Sequence, residues 1–203
     1  NGSIISMLWR LGLPNGIAWL FWTMATFADA FFIGFLGTEA LAVLALVFPF
    51  QMLMLMMSGG AIGGGTTSSV GRAIGNKDIK KAEASCFHSI FICFLMSLFY
   101  AMVFYFFSDK IFSFMGAKEE ILETSILFSK IFFCFSIFVW LFNILSAVIR
   151  GLGNTFTPSI ALIVGSVVQM FLSYMLIFGI GPFPDFGIIG AAISIILCHA
   201  GMT

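Results

Sequence analysis

Asp29 stands inside an otherwise apolar run, Gly16 to Leu36, reading GIAWLFWTMATFADAFFIGFL. About 20 apolar residues suffice to span a bilayer, so the run is long enough to cross one. A carboxylate at that depth costs roughly 2.5–3.5 kcal/mol on insertion scales, and something must offset it. Two readings follow: an ion or proton site, or an acid neutralised and hydrogen-bonded to fix helix packing. Gln169 and Ser173 are the other polar groups at a comparable level. Four residues apart, they share one helix face. Counted from their helix ends at 1.5 Å per residue, all three occupy the same half of the membrane. Contact between them requires that the helices carrying them be neighbours.

Other chemistry finds little support in the sequence. His88 and His199 are isolated, and neither has a partner at metal-ligand spacing. HExxH, a nucleophile–base pair and paired carboxylates are all absent, so the expectation is no enzyme, no cofactor and no metal beyond a monovalent cation at Asp29. The four cysteines, Cys86, Cys93, Cys134 and Cys198, lie in apolar segments without disulfide or CxxC spacing and read as small buried hydrophobes. The twenty-seven phenylalanines and twelve methionines offer cation–π and soft contacts for flat lipophilic cations, although most must face lipid or other helices.

These residues require a membrane scaffold to position them. The chain is 61% hydrophobic and 9% charged, with mean hydropathy +1.12, against about 25% charged residues in soluble domains. Net charge is zero, which leaves no basic face for nucleic acid. Six apolar segments are legible: Leu11–Leu36, Ala40 into the glycine cluster at Gly59–Gly65, Ala84–Phe107, Ile121–Ile149, Pro158–Phe178, and a sixth from Gly187. All lack period-two alternation, so the fold class is all-α membrane protein. The chain begins at Asn1 and stops at Thr203 within the sixth run, as a fragment would.

Connections are short and polar. With the N-terminus in the cytoplasm, Arg10, Arg72, Lys77, Lys80, Lys81 and Arg150 lie inside, and Lys110 and Lys118 outside, in agreement with the positive-inside rule. Lys130 reads as a side chain snorkelling to the outer interface. Pro14 and Pro49 each free a helix carbonyl and are candidate hinges. Gly59/Gly63 and Gly60/Gly64 are spaced for close helix packing.

Several stretches together resemble the multidrug and toxic compound extrusion (MATE) family. They are Leu13-Pro14, ADAFFIGFLG (28–37) followed by Ala40-Leu41-Ala42, Phe48-Pro49, GGAIGGGTTSSVGRAIGNKD (59–78) with Ala82, RGLGNTFTP (150–158) and IFGIGPFPDFGIIGAA (177–192). Their order and spacing extend over essentially the whole chain. The resemblance implies a twelve-helix, two-lobed transporter, of which residues 1–203 are the N-terminal six-helix lobe, with its sixth helix truncated and the C-terminal lobe missing. It implies cation antiport, a proton or sodium ion entering as an organic, often cationic, drug-like compound leaves across the plasma membrane. The acid of DxxFxG, here Asp29, is implied as the coupling residue, with the first and fifth helices adjacent. Many relatives carry asparagine and a second aspartate where this chain has Gln169 and Ser173. A site with one formal charge suits one proton or one monovalent ion, which puts two-acid sodium coordination in doubt and favours protons. Rival readings are a lipid-linked oligosaccharide flippase of the same superfamily and a non-transporting truncated membrane protein.

Overall fold

A computed structural model describes residues 4–203, with side chains described at Trp9 and from Gly12 onward. The described residues form helices: α1 (Ile4–Gly34), α2 (Thr38–Leu55), a π-helical stretch (Met56–Ile62), α3 (Gly63–Gly75), α4 (Ile79–Phe114), α5 (Glu119–Cys134), α6 (Ile137–Gly151), α7 (Phe156–Phe178) and α8 (Ile188–Met202). They correspond to the six apolar segments, with three differences of detail.

The second segment does not fade at its glycines. Helix runs continuously over Thr38–Gly75, changing to π-helical geometry at Met56–Ile62. The side chain of Asn143 on α6 donates to Ser58 Oγ at 3.0 Å, and Ser58 Oγ donates to the Leu55 carbonyl at 3.3 Å. An inserted polar partner of this kind accompanies the widened turn. The fourth segment is two helices rather than one, α5 and α6, bent by 42°. Ser136 sits at the break and bonds the Phe133 carbonyl at 2.8 Å. Finally, α4 extends past Phe107 to Phe114, where Ser108-Asp109-Lys110 contain no glycine or proline and the apolar residues resume at Ile111.

Pro14 lies within α1 and Pro49 within α2, and neither interrupts its helix. The glycine pairs behave differently from one another. A Cβ at Gly63 would sit 2.7 Å from the Ser58 carbonyl and 3.6 Å from Ala147, and one at Gly59 3.4 Å from Asn143. Gly60 and Gly64 have nothing within 4 Å. Within the described residues Gly59 and Gly63 are the pair that faces α6, Gly63 also lying under the carbonyl of its own π-helical turn, while Gly60 and Gly64 face away from it. The cause is rotational: only one face of the segment meets α6.

The packing is that of a membrane bundle. Phe27, Phe31, Phe106 and Phe114 are exposed, while a series of serines is buried, including Ser89, Ser125, Ser129, Ser166 and Ser194. Hydroxyls cross between helices: Thr66 Oγ1 donates to Ser89 Oγ at 2.8 Å and Thr67 Oγ1 to the Ala147 carbonyl at 2.9 Å. Apolar groups on the outside and polar groups within suit lipid as solvent, and most of the interior hydroxyls bond a helix carbonyl or another hydroxyl, Ser125, Ser166 and Ser173 being exceptions. The aromatic core joins α4 to α5 and α6, with Phe104 stacked on Phe133 at 3.9 Å and Tyr100 beside Trp140. Lys130 places its Nζ 5.5 Å from the Tyr105 ring centre, a partly buried cation on an aromatic face.

Two contacts place α7. Its length packs against α1, and its second half meets α8 so closely that a Cβ on Gly190 would lie 2.6 Å from the Leu176 backbone. The turn after α7 closes through Gly179 at φ 63°, and Phe186 N–H bonds the Leu176 carbonyl at 3.1 Å. The α7–α8 link, carrying Pro182 and Pro184, is thereby folded back onto the end of α7.

Candidate cation site and its cavity

The packing of α1 on α7 brings together the polar groups singled out in the sequence. Gln169 Nε2 donates to Asp29 Oδ2 at 2.8 Å, across 140 residues of chain, and both side chains are buried. Asp29 Oδ1 is buried and lacks a partner among the described residues. Ser173, one turn beyond Gln169 on α7, is fully buried and faces the same carboxyl group, yet its Oγ is also unpartnered. One carboxylate oxygen is held by an amide, and the other is left beside a free hydroxyl. Such a group can take a proton without breaking the Gln169 bond, or can offer oxygens to a small cation.

Asp29 and Gln169 open onto a cavity of about 100 Å³ enclosed by α1, α2, α5, α6, α7 and α8. Its walls are largely apolar and aromatic, with Trp22, Phe48, Phe128 and Phe132 among them. Three further polar groups line it, Thr26, whose hydroxyl bonds the Trp22 carbonyl at 3.0 Å, Gln51 and His199. Gln51 on α2 is buried and has no hydrogen bond to another described residue. His199 on α8 is 5% exposed, and its Nδ1 lies 2.8 Å from the Ile195 carbonyl. A carbonyl only accepts, so Nδ1 carries a proton there, and Nε2 has no hydrogen bond to another described residue. Gln51 was visible in the sequence as a lone amide in the second apolar run. His199 was equally visible as a lone histidine in the sixth apolar run; what the sequence did not give was its neighbours across the fold, which are distant in the chain. Among the described residues no group of three His, Cys, Asp or Glu is arranged to hold a metal ion.

The described residues thus form an all-helical membrane bundle with an apolar exterior and one buried acid facing an aromatic cavity. The chain belongs to the MatE family, whose model matches residues 14–175. It is similar to the FAD transporter of Shewanella oneidensis, 29% identical over 188 residues, covering 93% of this chain and 41% of that protein. It is also similar to the multidrug export protein MepA of Staphylococcus aureus, 28% identical over 192 residues, covering 94% of this chain and 42% of MepA. A solved MATE structure, in complex with MaD5, superposes with TM-score 0.91 at 27% identity, covering 99% of this chain and 44% of that one. The chain thus spans about two fifths of the length of these relatives, and its helices match one lobe of the MATE fold.

Proposed function

We propose that this lobe belongs to a secondary active exporter in which Asp29 is the coupling residue for cation antiport. The observation that carries this reading is the buried Asp29 carboxyl, held on one oxygen by Gln169 and unpartnered on the other. A buried acid whose charge is not matched by a neighbouring cation changes its interactions most when it binds a proton or ion. With serine at position 173 the site holds a single formal charge, which favours one proton over a two-acid sodium site. Protonation removes that charge and with it the need for solvation, so the α1–α7 contact packs differently in the two forms. Substrate and ion are coupled because each favours a different arrangement of the same helices.

The transported compounds we propose are organic, often cationic, and drug-like. Asp29 is the one charged residue lining the cavity, and aromatic faces flank it, a combination suited to flat cations. The name of MepA as a multidrug export protein supports this class. The protein acts in the plasma membrane, with the N-terminus and the Arg72–Lys81 and Arg150 end in the cytoplasm, and a second lobe completes the transport path. The flippase reading lacks support at this cavity, which carries no basic side chain other than His199.

The test is gradient-driven dye efflux by the full-length gene product. Asp29→Asn should abolish efflux while leaving membrane insertion intact. Full retained efflux by that variant contradicts the assignment.

A further inference from the structure

A second cavity, at the opposite end of the lobe from Asp29, is built from other chemistry. It encloses about 210 Å³ between α1, the π-helical stretch, α6 and α7, and its polar lining comes from Asn15, Asn143, Ser146, Arg150 and Ser159. We propose that this cavity binds a phosphate group, with the Arg150 guanidinium as its principal ligand.

Three observations lead to this assignment. The first is charge. Arg150 is only partly exposed, and no salt bridge or hydrogen bond engages its guanidinium among the described residues. The first eleven residues contain no aspartate or glutamate, so this chain supplies no acid there. Every carboxylate of the chain lies elsewhere, and none lines the cavity. A partly buried guanidinium with no carboxylate beside it has its fork free for an anion, and that planar fork matches phosphate oxygens two at a time.

The second observation concerns donors. Ser146 is 4% exposed, its side chain lines the cavity, and its hydroxyl has no hydrogen-bond partner among the described residues. It lies one helical turn before Arg150 on α6, so both address the same space. The Asn15 amide adds a further donor from α1. Ser159 spends its hydroxyl proton on the Thr155 carbonyl at 2.7 Å and Asn143 an amide hydrogen on Ser58, so Arg150, Ser146 and Asn15 are the donors left for a ligand, and with a single positive charge they complement a phosphate.

The third is construction. The Asn143–Ser58 bond at 3.0 Å anchors the π-helical turn, and a Cβ on Gly59 would already touch Asn143 Oδ1 at 3.4 Å. Gly151, directly after Arg150, packs so tightly on Val70 and the Thr67 carbonyl that a Cβ would fall within 2.9–3.0 Å of them. The Arg150 backbone is therefore fixed against α3, while its side chain turns into the cavity. A snorkelling arginine would need neither a fixed backbone nor converging donors.

The phosphate has two possible sources, a soluble phosphorylated compound or the headgroup of an anionic lipid, and one experiment separates them. ADP binding to the purified full-length gene product is measured by equilibrium dialysis. Phosphatidylglycerol retention is measured by native mass spectrometry after exchange from mixed phosphatidylglycerol–phosphatidylcholine nanodiscs. Arg150→Gln should weaken at least one of the two by more than tenfold, and Arg150→Lys, which keeps the charge and loses the fork, should weaken it less. Loss confined to ADP identifies a soluble ligand, and loss confined to phosphatidylglycerol identifies a lipid site. Ser146→Val tests the same cavity without altering charge and should weaken the same ligand several-fold, which keeps the test decisive if both Arg150 variants misfold. Neither probe binding the parent protein, or both binding equally to the parent, Arg150→Gln and Ser146→Val forms, overturns the proposal.

Discussion

The two cavities of this lobe are lined by opposite chemistry on the same helices. α1 supplies Asp29 to one and Asn15 to the other, and α7 supplies Gln169 to one and Ser159 to the other. The first is apolar and aromatic around a lone acid. The second is polar around a lone guanidinium. Neither charge has an ionic partner among the described residues, yet the two are not balanced against each other, because they lie towards opposite ends of the bundle. An unpaired charge inside a membrane protein is costly unless function retains it. This difference is what the two proposals rest on, cation exchange at Asp29 and anion capture at Arg150.

Variants can break or sharpen that contrast. The largest effect is expected at Asp29: Asp29→Asn should reduce gradient-driven efflux to background while leaving ADP binding within about twofold of the parent. Loss of both together would show that the two ends are one site.

Gln169→Leu is the next largest. It removes the donor to Asp29 Oδ2 and leaves a buried carboxylate with no partner at all. Leaving such a group unsatisfied costs about 1–3 kcal/mol or more, so efflux should fall by roughly tenfold or more while the protein still inserts. Gln169→Asn keeps the amide and should recover part of the activity; equal loss in both would mean that side-chain volume, not the hydrogen bond, matters.

Gly190→Ala probes the contact that holds α8, and with it His199, against α7. The added methyl meets Leu176 backbone at 2.6 Å, and overpacking of this kind costs about 1–3 kcal/mol. Thermal unfolding in detergent should shift down by several degrees. The smallest effect is Gly64→Ala, whose methyl meets nothing within 4 Å in this lobe. Its stability should change by less than about 0.5 kcal/mol, whereas Gly63→Ala, 2.7 Å from the Ser58 carbonyl, should be clearly destabilising.

The parts legible in the sequence were those with a long apolar period or a rare residue in it. Six apolar segments and a buried acid are such signals, and the Asp29–Gln169 pairing followed from matching depths once α1 and α7 were taken as neighbours. What was not legible depended on rotation of one helix about its axis. The glycine cluster offered two equivalent pairs at i, i+4, and only contact with α6 distinguishes Gly59/Gly63 from Gly60/Gly64. The break between α5 and α6 at Cys134–Ile137 contains no glycine or proline, so nothing local marked it. His199 and Gln51 reach the Asp29 cavity, and Arg150 and Asn143 reach the other, through contacts between helices far apart in sequence. Arg150 in particular looked like an ordinary basic residue at a helix end; only the enclosing walls of Asn15, Ser146 and Ser159 give it a different meaning.

The central claim is that Asp29 couples ion movement to export. It is tested most directly in proteoliposomes containing the full-length gene product, loaded with a fluorescent organic cation and given either a proton or a sodium gradient. The proton gradient should drive export in the parent protein, the sodium gradient should do so weakly or not at all, and Asp29→Asn should respond to neither. Proton-driven export by Asp29→Asn at the parent rate would contradict it.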